Sequence, residues 1–255
     1  MIILAFEAHP DYHVLWFGGT IAKHTSRGDE AYVISVSGGE RGAPEQIPNN
    51  VQIWTREFGK KKIRDSKEGA IVLGIKDFRV LDFEDTKIRN TPSLQNTILD
   101  IIRELRPQVI ISHWPNDTHP DIRETGQAVL DACFLAKLKS VNSRHPPHEI
   151  EAVYLYEVWN PDLTSSIDFE PDIFVDITET MPIKIEAAKR LRSVIEAEFG
   201  GKVEKWLDIF RIQNRYWGQK TGVEFAEPFK EASVRGMTKN AVSFLTTRSA
   251  KKALT

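Results

Sequence analysis

Four short apolar runs constrain the fold more than any other feature of this chain. They are Ile2–Phe6, Tyr32–Val36, Phe78–Phe83 and Val109–Ser112, and segments with helical spacing separate them. An apolar run without polar alternation suits a strand buried on both faces. Strand and helix in strict alternation predict an α/β fold: a Rossmann-like, mostly parallel sheet with helices on both faces. The intervening helices are read at 13–24, 51–74, 94–105 and 120–138, with Ser93 as the N-cap of the third. The adjacent Gly18 and Gly19 inside the first predict that another backbone comes close there. Beyond a polar loop at 142–150, runs at 152–158 and 173–177 and helices at 184–199 and 203–216 follow.

A chain of 255 residues with 41% hydrophobic and 27% charged residues can bury a full core, which excludes a disordered or fibrous protein. The expected organisation is a single α/β domain over 1–255, in which 151–255 forms a C-terminal extension completing the cleft. No apolar stretch approaches the roughly 18 residues of a membrane helix, and the start reads as no signal peptide. Cys133 is the single cysteine, which excludes a disulfide framework and points to a cytoplasmic protein. Net charge is −2, so neither nucleic acid nor a membrane is an expected partner. The excess of Lys and Arg after Gly200 reads as a solvated face. Homo-oligomerisation is left open.

In an open parallel sheet, ligands sit beyond the carboxyl ends of the strands. Reactive side chains follow those ends here. His9, Asp11 and His13 follow the first run, Glu40 and Arg41 the second, Asp85 the third, and His113, His119 and Asp121 the fourth. His-Pro-Asp occurs twice, at 9–11 and 119–121, each time before a helical segment. Pro suits a first helical turn and Asp its positive terminus. The glycine-rich loop at 37–44 has neither GxGxxG nor GxxxxGK[ST] spacing, which disfavours a nucleotide-binding oxidoreductase. Trp16 and Phe17 are read as core rather than as a sugar platform, and His24 as a surface residue.

These motifs, in this order, resemble the PIG-L/LmbE family of zinc-dependent N-deacetylases. The resemblance rests on Ala8-His9-Pro10-Asp11 followed by Gly18-Gly19, on Gly39-Glu40, Leu73-Gly74 and Val80–Asp85, on His119-Pro120-Asp121, and on Phe174–Thr178 and Gly222–Glu227. It implies hydrolysis of the N-acetyl group of an N-acetylglucosamine-type small-molecule conjugate. Asp11 would be the general base, His119 the oxyanion partner as an imidazolium, and His9 a zinc ligand. Arg64, Asp85, Asp121 and Glu40 would contact the substrate.

Two of the family's three ligand positions are altered, to Tyr12 and Ile122. A catalytic zinc takes three protein ligands; isoleucine offers none, and tyrosine ligates only as phenolate, from a pKa near 10. Three readings stay open, one of them a metal-free hydrolysis by Asp11 and His119. In another, metal binding is rewired through His9 and His13, with His113, His145 or His148 as the third ligand. In the third, the protein is a metal-free pseudoenzyme that binds such a conjugate without cleaving it.

Overall fold

The computed structural model describes residues 1–42, 50–159 and 167–234. Seven strands form one sheet: β1 (Ile2–Glu7), β2 (Glu30–Ser37), β3 (Asp77–Phe83), β4 (Val109–His113), β5 (Ala152–Tyr156), β6 (Ile173–Asp176) and β7 (Ala226–Glu231). Their order is β3-β2-β1-β4-β5-β7-β6. The first five are mutually parallel, and β7 runs antiparallel to both its neighbours. The mostly parallel α/β sheet expected from the apolar runs is therefore present. β7 was not anticipated as a strand, because Ala-Glu-Pro-Phe-Lys-Glu carries no apolar run.

The central runs are apolar because both faces of β1 and β4 are covered, whereas β3, at the sheet edge, is only partly buried. In β1, Ile3 and Ala5 enter one hydrophobic cluster while Leu4 and Phe6 enter the other. β4 divides in the same way, Ile111 to one side and Ile110 to the other. This is the two-residue period of a strand with a core on each side. One face is covered by α4 (Pro92–Leu105) and α5 (Pro120–Ala136). The other is covered by α1 (Tyr12–Leu15), α2 (Gly18–Thr25), α3 (Val51–Val72), α6 (Met181–Ala188), α7 (Arg192–Phe199) and α8 (Val203–Thr221).

Several local expectations are corrected. The segment 13–24 is two helices, broken at Phe17, whose backbone is not helical. At the glycine pair the close neighbour is a backbone only for Gly18, whose Cβ would lie 3.1 Å from the His13 carbonyl oxygen; a Cβ on Gly19 would lie 2.7 Å from the Ile177 side chain. Helix α4 is capped by Thr91 rather than Ser93, because Pro92 supplies the first helical residue and the Thr91 side chain accepts from Leu94 N–H. The segment 184–199 divides into α6 and α7. His24 is buried, with Nδ1 2.8 Å from Asp29. The last five basic residues of the C-terminal excess, from Arg235 on, lie outside the described residues.

Candidate active site

The strand order reverses between β1 and β4: the chain moves outward from β1 to β2 and β3, then crosses to β4 and β5. That reversal opens a crevice beyond the carboxyl ends of the two central strands. His9 and Asp11 lie just beyond β1, and His119 and Asp121 lie just beyond β4. Both His-Pro-Asp copies therefore meet in one place, though 110 residues separate them in sequence.

His9 is the hub. Its Nε2 lies 2.9 Å from Asp85 Oδ1 and 3.3 Å from Asp121 Oδ2, and its Nδ1 lies 3.1 Å from the Tyr12 hydroxyl. Burial opposes charge on this ring, but hydrogen bonds to Asp121 and Asp85 outweigh it and lift the pKa to about 9. Asp85 is held in turn. Its carboxylate accepts from Arg41 N–H, and its own N–H donates to Glu40. Burial opposes its ionisation, yet the contact with His9 keeps it well below the usual carboxylate range. Asp121 accepts from Thr86 N–H through Oδ2, while its buried Oδ1 has no partner.

Asp11 is buried, with Oδ2 3.1 Å from Lys62 Nζ and Oδ1 without a hydrogen-bond partner. Burial works against the Lys62 ammonium, but Asp11 and Glu198 hold its pKa above the ordinary lysine value. Gly39 makes room for this pair. Its φ is +57°, and a Cβ there would stand 3.0 Å from Lys62 Nζ and 3.1 Å from His9 Cβ.

His119 caps α5, its Nδ1 accepting from Asp121 N–H. Nδ1 must therefore carry the lone pair, and Nε2 carries the proton. Burial, then the neighbouring His9 charge, lowers its pKa. Nε2–H is then the donor that His119 offers to the cavity.

His9, Asp11, Tyr12, Lys62, Asp85 and His119 line one cavity of about 380 Å³, together with Arg41 and Glu198. Other expected residues are not brought here. His13 is turned onto Glu7, with Nδ1 3.0 Å from Glu7 Oε1 and Nε2 3.3 Å from the Ser66 carbonyl. The reason is helical: position 13 points about 100° from position 12. His113 Nε2 accepts from Ala8 N–H and neighbours the Tyr156 hydroxyl inside the core. His148 contacts the Pro107 carbonyl at the opposite, amino end of β4, and His145 sits in the same loop. Arg64 is exposed and bonds Asp65 instead of lining the cavity. Glu40 and Asp121 stand behind the lining: Glu40 accepts from Asp85 N–H, and Asp121 lies against His9 Nε2. Trp16 is both core and cavity wall, whereas Phe17 is core, packed 4.7 Å from Tyr156.

Arg41 lines the cavity as its place after the second apolar run implied, but sequence reasoning missed Lys62 and Glu198 as cavity residues. Lys62 ends a Lys60-Lys61-Lys62 run that looks solvated. The available signal was spacing: Phe58, Lys62, Asp65, Ser66 and Gly69 form the buried stripe of α3.

The family's zinc positions do not supply a donor set here. Ile122 is buried among the hydrocarbon side chains of the α4–α5 face. Burial, then Asp11, raises the Tyr12 pKa well above 10, which keeps the phenol neutral. A different set does fit. Ligating atoms of His9, Asp85 and Asp121 all lie within 4.8 Å of one another. One imidazole and two carboxylates suit zinc, and the unpartnered Asp121 Oδ1 leaves spare acceptor capacity.

Known proteins resemble this chain in sequence and in fold. The chain is 29% identical over 234 residues to the diacetylchitobiose deacetylase of Thermococcus kodakarensis, covering 88% of this chain and 80% of that one. Its fold matches the N,N′-diacetylchitobiose deacetylase of Pyrococcus horikoshii, with a TM-score of 0.74 and 24% identity over 91% of this chain and 83% of that one. It also matches the 4-carboxy-2-hydroxymuconate hydratase GalB of Pseudomonas putida, with a TM-score of 0.75 and 20% identity over 94% and 99%. These two likenesses show the fold alone. The model of the PIG-L family, described as GlcNAc-PI de-N-acetylase, matches residues 4–133, which include both His-Pro-Asp motifs and Asp85. With more than half of the chain matched, the protein belongs to the PIG-L family.

Proposed function

We propose that this protein hydrolyses the N-acetyl group of an N-acetylglucosamine-type small-molecule conjugate. One observation carries the reading: in a cavity also lined by His119, Asp11 has one oxygen tied to Lys62 and the other unpartnered. A carboxylate with a free oxygen next to an N–H donor is the equipment of acid–base amide hydrolysis. In this reading Asp11 Oδ1 takes a proton from water as the water oxygen attacks the amide carbon. The developing oxyanion accepts from His119 Nε2–H. The C–N bond then breaks, Asp11 returns the proton to the leaving amine, and acetate remains. Lys62 holds Asp11 in place throughout. The relatives' names support the substrate class.

His9, Asp85 and Asp121 would hold a zinc ion, in place of His9 and His13. Such an ion, when bound, would polarise the acetyl carbonyl and lower the pKa of a water. Among the described residues no helix is long and apolar enough to cross a membrane; buried, unpaired Cys133 accords with a reducing cytoplasm.

One observation favours the second reading, a non-hydrolysing binder. Tyr12, its phenol held neutral, and buried Ile122 stand at two of the positions where the family would ligate its metal. Acetate release from diacetylchitobiose and N-acetylglucosaminyl conjugates, measured with and without zinc, separates the two. Release that disappears in Asp11→Asn supports hydrolysis; binding without release in either condition supports the binder.

A further inference from the structure

The cavity holding Asp11 and His119 has a second kind of wall. Leu15 from α1, Trp16 just after it, Phe199 from α7, and Trp206, Ile209 and Phe210 from α8 line it. The rings are contiguous: Trp16 lies 5.9 Å from Phe210, Phe210 4.8 Å from Trp206, and Trp206 4.9 Å from Phe199. An acetyl methyl group covers only a fraction of such a surface. A hydroxylated sugar ring would leave its own polar groups unpaired against it.

Trp16 adds a second observation. Its indole is buried, and its Nε1–H has no partner. A buried donor without a partner costs about 1–3 kcal/mol, and a ligand oxygen at this wall would satisfy it. Glu198 stands at the polar border, and burial pushes its carboxyl up to about 7, which lessens the charge beside the wall.

We propose that this aromatic wall is a subsite for an alkyl or aryl substituent carried by the same amide substrate, with Trp16 Nε1–H donating to an oxygen that borders that substituent. The inference rests on the amide-hydrolase reading for its chemistry, but not for its test. Two sources would bring such a group: a longer N-acyl chain, or an apolar aglycone on the sugar.

The experiment uses two ligand series on the full chain. One lengthens the N-acyl group of methyl glucosaminide from acetyl to octanoyl. The other lengthens the aglycone of N-acetylglucosamine from methyl to octyl. Dissociation constants are read from tryptophan fluorescence with Asp11→Asn, and kcat/KM is read with the unaltered protein. Burying one methylene contributes about fourfold, so the expected result is a tightening of about fourfold per methylene in one series until the wall is covered. The series that tightens identifies the source. Ile209→Ser should flatten this gradient, whereas a purely structural role would weaken every member equally. Dissociation constants that stay flat along both series overturn the subsite, whatever the turnover. A gradient in binding with no turnover of any member sinks the hydrolase reading and leaves the subsite standing.

Discussion

The Lys62 ammonium lies 3.1 Å from Asp11 Oδ2, and both side chains are more than nine-tenths buried. Neither is easily removed alone. Breaking a buried pair from one side costs about 3–5 kcal/mol, because the other charge stays buried without a partner. Lys62→Met should therefore lower the denaturant midpoint strongly, and Lys62→Met with Asp11→Asn should recover much of the loss. Urea titration of the two single variants and the double variant measures the coupling; additive losses would show that the pair is not coupled.

Asp11→Asn keeps the side-chain shape and removes the base. A positioned general base contributes roughly 10²–10⁴-fold, so acetate release should fall by at least about a hundredfold. Circular dichroism should be unchanged. Release within about threefold of the unaltered protein would assign the base elsewhere.

Metal retention should follow His9, Asp85 and Asp121 rather than His13. After incubation with zinc and removal of the excess, elemental analysis should find less metal in Asp85→Asn and Asp121→Asn. His13→Gln should retain it while losing stability, since Glu7 then keeps a buried carboxylate without its imidazole partner. Equal retention in all variants would rule out this donor set.

Stability should carry a carboxylate signature near neutral pH. Burial raises Glu157 and Glu198 from the ordinary 4.5 to about 7, with Lys220 near Glu157 and Lys62 near Glu198 only partly offsetting it. A carboxyl whose folded pKa exceeds its unfolded value contributes stability that is fully present below 4.5. That contribution is lost as pH rises through 7. Melting temperature should accordingly decline between pH 5 and pH 8, and Glu157→Gln with Glu198→Gln should flatten the decline. A decline of unchanged slope in that variant would place its origin in other groups.

Gly19 and Ile177 make a steric test of the fold. A Cβ at position 19 would stand 2.7–2.9 Å from three Ile177 atoms. Gly19→Ala should cost about 1–3 kcal/mol by overpacking, and Ile177→Ala in the same chain should relieve part of it. Thermal unfolding of the three variants checks this, with no relief in the double variant as the contrary outcome.

The four apolar runs made the parallel sheet legible, because a strand buried on both faces has to be apolar at every position. The paired His-Pro-Asp motifs made the site legible for a related reason: strand ends in such a sheet point to one edge. β7 was hidden, since three of its six residues, Glu227, Lys230 and Glu231, are charged and it contains Pro228. Lys62 was hidden in a lysine run, and Trp206 and Phe210 in the helical segment 203–216.

By itself, the sequence determined the α/β alternation, the strand ends that carry reactive groups, and the loss of two ligand types at Tyr12 and Ile122. These follow from local periodicity and from what a side chain can donate. Only the tertiary structure decided which imidazole turns inward. His9 and His13 are four residues apart, yet His9, in the turn after β1, meets Asp85 and Asp121, while His13, inside α1, meets Glu7. It also decided that Lys62 faces Asp11, that Arg64 faces solvent, and that α7 and α8 close an aromatic wall over the crevice. Such choices depend on contacts between segments up to about 200 residues apart, such as Trp16 with Phe210, and no local pattern encodes them.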